Sequence, residues 1–253
     1  MTQMKHQDQV ADGFGAHAQA YVNSAVHGAG QDLDDLTALL AQCRPARVLD
    51  LGTGGGHVAF RAAAVADQVV AYDLSPAMLR AVAAEATERG HSNIQTRQGP
   101  AESLPFADHS FDAVLTRFSA HHWRDLPRGL AEARRVLRPG GMALFIDVVA
   151  PAARLADTWL QTLELMRDGS HLRDYSTDEW QTMLTTAGFA PRLVQAYRLR
   201  MEFAPWVARI GTPAPLITAL RLMLQSAPAE VAAHFAIETD SSFTIDSCLI
   251  AAD

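Results

Sequence analysis

Val48-Leu49-Asp50-Leu51-Gly52-Thr53-Gly54-Gly55-Gly56 runs from apolar residues through an acidic one into glycine. That is the pattern of a buried strand, begun at Ala46, that stops at a tight turn. Two familiar glycine loops do not fit it. A dinucleotide fingerprint carries glycine at its first, third and sixth places; counted from Gly52, the third is Gly54 but the sixth is His57. A phosphate loop needs Gly-Lys followed by Ser or Thr, and none follows. What does fit is Asp-x-Gly-x-Gly-x-Gly over Asp50, Gly52, Gly54 and Gly56. An acidic strand end beside freely approachable backbone suits a ligand with an ammonium group and no pyrophosphate.

Strands and helices alternate outward from that turn. Val58–Ala66 reads as a helix and Gln68–Tyr72 as a second strand, stopping at Asp73. Ser75 caps a helix with Pro76 at its first position, which runs to about Arg89 and ends at Gly90. Ile94–Gln98 and Phe111–Thr116 are further strands, and a helix spans Leu126 to Leu137. Arg138-Pro139-Gly140-Gly141 turns the chain into Met142–Val149, the most apolar strand. Beyond residue 150, Leu155–Gly169 and Thr177–Thr186 look helical, and Pro191–Phe203 and Phe243–Ala251 look like strands. This order predicts an α/β fold: a Rossmann-like, doubly wound, seven-stranded and mostly parallel sheet with helical N-terminal and C-terminal cap insertions. The expected divisions are N-terminal lid helices over 1–30, a ligand-binding core over 31–150, and a completion of the sheet over 151–253. The cap, a helical insertion at about 205–236, is punctuated by Pro213, Pro215 and Pro228. Phe14, Ala18, Tyr21 and Ala25 fall on one helical face of the lid segment. Right-handed crossovers bring the loops after strands one, two and four to one edge of the sheet.

Composition narrows the function classes. The 253 residues are 49% hydrophobic and 19% charged, with 21 Lys and Arg against 28 Asp and Glu, a net charge of −7. That balance argues against a nucleic-acid partner. The local cluster Arg134, Arg135 and Arg138 reads as a solvated helix end facing the carbonyl dipole. Cys43 and Cys248 are far apart, without metal-ligand spacing. No apolar run approaches the roughly 18–20 residues of a membrane span, so a cytoplasmic location is expected. A homodimer is left open.

About twenty residues after the glycine turn, Asp73 ends the second strand, where its carboxylate can accept bonds from both hydroxyls of a ribose. The set Val48–Gly56, Tyr72-Asp73-Leu74-Ser75, Ala101-Glu102-Ser103-Leu104-Pro105-Phe106, Ser110-Phe111-Asp112-Ala113-Val114 and Val136-Leu137-Arg138-Pro139-Gly140-Gly141 resembles the motifs of class I S-adenosylmethionine-dependent methyltransferases. The resemblance covers about residues 46–148 and is nearest the small-molecule branch, which includes the ubiquinone and menaquinone biosynthesis enzymes. It implies S-adenosylmethionine as cofactor, with S-adenosylhomocysteine as product, and a small-molecule acceptor. By position it implies that Gly52, Thr53 and Gly54 approach the methionyl part, that Asp50 favours its amino group and that Asp73 takes the ribose. Met78 or Leu74 would pack on adenine, and Thr116 and Arg117 would border the methionyl tail. Many relatives have Gly-Asp-Ala where this chain has Gly99-Pro100-Ala101-Glu102, so adenine would be read by the backbone at Ala101 or by Glu102. A nicotinamide-type oxidoreductase and a non-catalytic module on the same fold are the competing readings.

Methyl transfer from a sulfonium is an in-line displacement, so alignment matters most. A phenol, enol or acidic carbon acceptor also profits from a general base. Arg117-Phe118-Ser119-Ala120-His121-His122-Trp123 follows the fourth strand directly, and His121 or His122 is the candidate base. The pair lacks the helical spacing of a metal site, and no third ligand is evident. Tyr21 and His27 of the lid segment, and His171, Arg173 and Tyr175 before a capped helix at Ser176-Thr177-Asp178-Glu179, are candidates for acceptor binding.

Overall fold

The central strands bury both faces, which is why they read as unbroken apolar runs. They are β1 (Arg47–Leu51), β2 (Gln68–Asp73), β4 (Phe111–Arg117) and β5 (Leu137–Val148). A computed structural model of the chain describes residues 5–22 and 28–253. With β3 (Ile94–Gln98), β6 (Arg192–Met201) and β7 (Phe243–Ala252), these strands form one seven-stranded sheet in the order β3-β2-β1-β4-β5-β7-β6. β1 to β5 pair in parallel, whereas β7 runs antiparallel to both β5 and β6. β4 meets β5 first at Phe111 and Leu137 and then at Ala113 and Met142, so residues 138–141 leave the ladder where the Pro-Gly-Gly turn is expected.

Successive strand residues point to opposite faces, and each face has its own core. Val48, Leu115 and Ile146 pack with Leu33, Leu36 and Phe60 from α3 (Gln31–Cys43) and α4 (His57–Ala63), and with Val82 from α5 (Pro76–Glu88). Their neighbours Leu49, Val114 and Phe145 pack with Leu130 of α6 (Leu126–Val136) and Trp180 and Leu184 of α8 (Thr177–Thr186). A third cluster joins α7 (Arg154–Arg167), α9 (Phe203–Arg209), α10 (Ala214–Gln225) and α11 (Ala229–His234) around Leu160, Trp206, Leu224 and Phe235. Val148, Phe243 and Ile245 also belong to it. These are the end of β5 and the start of its antiparallel neighbour, so the cap stands at the carboxyl edge of the parallel strands.

The lid segment differs from its expected form. α1 (His6–Ala16) and α2 (Ala18–Val22) break at His17, so the Phe14–Ala25 stripe is not one continuous helical face. Gly13 and Gly15, poor helix formers, occupy the last turn of α1, and Ala25 lies outside the described residues. Among the described residues no helix is long and apolar enough to cross a membrane. The arginine cluster serves the fold: Arg135 donates to the Leu104 and Phe106 carbonyls at 2.9 and 2.7 Å, Arg134 to Gly188 at 3.0 Å, and Arg138 pairs with Asp112.

Candidate active site

The turn after β1 is fixed by β2. Tyr72 C=O accepts the Gly52 and Thr53 N–H groups at 2.8 and 2.9 Å. Asp73 accepts the Gly54 N–H at 2.9 Å and the Ser75 N–H at 2.8 Å, and burial pushes its carboxyl above the usual range. Gly52 has φ +74°, and a Cβ there would fall 1.9 Å from Ser119 Oγ. No side chain can occupy that position without moving the loop after β4.

Beside this loop lies a cavity of about 990 Å³, counted to its open mouth. Gly52, Thr53, Gly54, Asp73 and Leu74 line one side, and Met78, Ala101 and Glu102 continue the wall. Arg117 and Trp123 border the far end. The set fits a nucleoside bearing an amino-acid tail. A carboxylate stands at the second strand end, apolar groups (Leu74, Met78) lie on the same wall, and at Gly54 nothing lies within 4 Å of where a Cβ would be. Asp50 and Thr116, both expected here, are not on this wall. Asp50 is buried under the loop, where its carboxylate accepts Thr53 Oγ1–H at 2.6 Å and burial pushes it up to about 7. Thr116 is buried inside the sheet. Glu102 does reach the wall, but its carboxylate accepts the Asp125 N–H at 3.2 Å.

Tyr21 and Phe14 roof this cavity. A Cβ at Gly55 would fall 2.7 Å from the Tyr21 carbonyl oxygen, and His57 Nε2 donates to that oxygen at 2.9 Å. His57, the residue that breaks the dinucleotide pattern, thus ties the lid to the loop. Its neutral form is favoured because burial lowers its pKa. His27 lies outside the described residues.

A second cavity, about 750 Å³ when counted to its open mouth, opens toward the cap. Phe14, Tyr21, Arg117, Phe118 and His122 line both cavities. Phe118 has φ +50°, a sparsely populated conformation for a bulky residue, at the point where the chain leaves β4. Arg117 is buried against Asp32, with Nε donating at 2.6 Å. The two histidine rings lie together, with centroids 4.3 Å apart, but they bond to different partners. His121 Nδ1 donates to Asp147 Oδ1 at 2.6 Å, and Asp147 is itself held by the Ala120 and Val148 N–H groups at 3.0 and 2.9 Å. Burial alone would lower the His121 pKa, but the Asp147 charge and hydrogen bond outweigh it and push it up to about 9. His122 turns to the Ser170 carbonyl at 3.1 Å, and burial plus the His121 charge lower its pKa to about 3. His121 is therefore an imidazolium at neutral pH and His122 a neutral imidazole.

His121, Asp147 and Asp174 place ligand atoms within 4.8 Å of one another, so the third potential metal ligand that the sequence does not reveal exists in space. His121 Nδ1 and both Asp147 oxygens are already engaged in the hydrogen bonds above, and the group reads as a proton-holding cluster. His171, Arg173 and Tyr175 line neither cavity. His171 is buried and bonds Gln161 at 3.1 Å, its pKa lowered to about 2 by burial and by the positive charge of His121. Arg173 pairs with Asp157 at 3.2 Å, and Tyr175 packs against the core. Phe118, Arg167 and the cap residues Trp206 and Arg209 line cavities without having been singled out in sequence, and Phe14, read there only as part of the lid stripe, lines both. Phe118 sat beside the histidine pair, whereas the cap residues carry no motif.

Comparison with known proteins agrees with this geometry. Residues 49–145 match the family model described as "Methyltransferase domain". The chain is 46% identical over 199 residues to YafE, an uncharacterised protein of Escherichia coli K12, covering 79% of this chain and 96% of that one. It is 36% identical over 202 residues to the uncharacterised methyltransferase YcgJ of Bacillus subtilis, covering 79% of each. The crystal structure of YcgJ superposes with a TM-score of 0.83 at 32% identity, covering 87% of this chain and 97% of that one. A demethylmenaquinone methyltransferase of Chlorobaculum parvum is 40% identical over 109 residues, 43% of each chain. The chain belongs to the S-adenosylmethionine-dependent methyltransferases of class I.

Proposed function

We propose that this enzyme methylates a small molecule, at carbon or oxygen in preference to nitrogen, with the acceptor held in the inner cavity beneath the cap. The observation that carries the reading is the shared wall: Phe14, Tyr21, Arg117, Phe118 and His122 border both cavities. Two ligands seated in the two chambers meet there, the arrangement an in-line displacement needs. The bound cofactor supplies an electrophilic methyl group on a sulfonium.

The chain's own residues supply position and proton control. Asp73 is placed for the ribose hydroxyls, Leu74 and Met78 for the adenine, and the backbone at Ala101 for its edge. Asp50 acts one step back, by holding Thr53 and hence the loop. Among the histidines, His121 is the proton holder in this reading. An acidic acceptor that gives its proton to neutral His121, or that binds as its anion to the imidazolium, reaches the same reactive pair, in which Asp147 stabilises the positive ring. His122, at the junction, shapes the passage with Phe14, whose ring centroid lies 4.9 Å away. Residues 1–30 act as the lid, 31–150 as the donor-binding core, and 151–253 complete the sheet and enclose the acceptor.

Calorimetry with S-adenosylhomocysteine and with NAD, followed by label transfer from methyl-labelled S-adenosylmethionine to phenol, enol and amine panels, tests this. Micromolar binding of the homocysteine product and label in a phenol or enol are expected. NAD binding without S-adenosylhomocysteine binding would overturn the reading.

A further inference from the structure

Two arginines, Arg167 ahead of the cap and Arg209 within it, face the inner cavity, and the fold treats them differently. Arg167, the last residue of α7, donates Nε–H to the Trp206 carbonyl at 3.1 Å, approaches Glu164 at 3.4 Å and interacts with the Tyr21 hydroxyl. Arg209, the last residue of α9, is only partly exposed, and among the described residues it has no hydrogen-bond or ion-pair partner. A guanidinium cannot shed its charge by deprotonation under ordinary conditions. Partial desolvation of one beside a second is therefore unfavourable until an anion joins them.

The acidic groups on the same wall do not fill that role. Asp32 is committed to Arg117 at 2.6 Å, and Glu164 to Arg167. Asp174 is buried with no hydrogen-bond partner for Oδ2 among the described residues, and burial pushes its carboxyl well above the usual range, which disfavours its charged form. Around the arginines the wall is apolar: Trp206, Phe118, Leu199, Met201 and Ile245. A chamber with one guanidinium unanswered among the described residues, a second beside it, and the rings of Phe14, Tyr21, Phe118 and Trp206 is complementary to an apolar body carrying a single planar anion.

We propose that the acceptor is an aromatic or otherwise apolar carboxylate, its carboxylate taken by Arg209 with Arg167 and its body packed between Trp206 and Phe118. This rests on the methyl-transfer reading and names the substrate class for the same site.

The test is calorimetry on the full chain saturated with S-adenosylhomocysteine. The probes are benzoate, 4-hydroxybenzoate, cinnamate, indole-3-acetate and octanoate, each matched with its neutral carboxamide. At least one carboxylate is expected to bind tenfold or more tightly than its amide. Arg209→Gln should erase that preference, and Arg209→Lys, which keeps the charge but not the planar fork, should restore part of it. Melting temperature and S-adenosylhomocysteine affinity check the fold of each variant. Amides binding as well as carboxylates, no member of the panel binding, or a preference unchanged in folded Arg209→Gln would each overturn the proposal. Failure of the chain to bind S-adenosylhomocysteine is the separate result that removes the methyl-transfer reading itself.

Discussion

At Gly52 two demands coincide, a φ of +74° and the 1.9 Å that a Cβ would leave to Ser119 Oγ. Gly52→Ala is expected to weaken S-adenosylhomocysteine binding at least about tenfold, since left-handed strain in a non-glycine residue costs on the order of 1–3 kcal/mol. Adding Ser119→Gly should recover only part of the loss in calorimetry, because it removes the contact but not the strain. His121 makes a prediction of the opposite kind, about charge. Its pKa is raised to about 9, so the imidazolium is present below that pH and lost as pH rises through it. Asp147→Asn removes the largest opposition to burial, leaving only the weaker influence of Asp174 and Glu164, and the titration should then fall toward or below the ordinary histidine value of about 6.5. Nuclear magnetic resonance of the ring Cε1 proton reads both titrations; a midpoint unmoved by the substitution would remove Asp147 as the cause. Both residues were visible as candidates in sequence, but the charge of the histidine was not. Asp147 is 26 positions away, and only the pairing of β4 with β5 brings it under the turn.

The lid helices are held to the donor-binding core by single side chains. Ser75 Oγ donates to Ala11 C=O of α1 at 3.0 Å and also accepts the Met78 N–H at 3.5 Å as the cap of α5. His57 grips Tyr21 C=O at 2.9 Å. Ser75→Ala should therefore cost about 1 kcal/mol by chemical denaturation, as lost caps do. His57→Ala should speed S-adenosylhomocysteine release several-fold in stopped flow, with less effect on the denaturation midpoint. An unchanged release rate would show that the lid does not govern the donor site. Caps and turns were legible at this scale because their signals are local. Ser75 and Ser176 are the caps, the latter with Glu179 completing a capping box, and α8 spans Thr177–Thr186 as expected. The break at His17 was not legible, because the apolar stripe continues across it while the docking partners belong to other elements.

Over the whole molecule, buried titrating groups tie stability to pH. His122 and His171 have pKa values lowered to about 3 and about 2. Their contribution is present above the unfolded histidine value of about 6.5 and is lost as pH falls below it, because the unfolded chain takes up protons that the folded one refuses. Asp50 has the opposite sign: raised to about 7, it contributes below the unfolded aspartate value of about 3.9 and loses that contribution as pH rises through its folded value. The melting temperature is therefore expected to drop between pH 6.5 and pH 4 beyond what carboxylates alone produce. His171→Gln, whose amide can still donate to Gln161, should flatten that slope by on the order of 2 kcal/mol. Calorimetric melting of both proteins across this range checks it, and parallel curves would refute the assignment.

The sequence alone was enough for the alternating order of strands and helices, the glycine turn, the place of Asp73 at the end of β2 and the class of donor. Each of these is a local pattern: hydrophobic period, capping chemistry, or a loop whose glycines answer to their own backbone. The acceptor side is different in kind. Arg167, on the helix ahead of the cap, and Trp206 and Arg209 within it belong to no motif. They face His121 and Phe118 only because β7 runs antiparallel beside β5 and delivers the cap to the carboxyl edge of the sheet. Which histidine carries a charge, which arginine has no partner among the described residues and which chamber adjoins the donor all depend on groups far apart in the chain. Burial and proximity, the physical causes of those properties, exist only once the chain has folded.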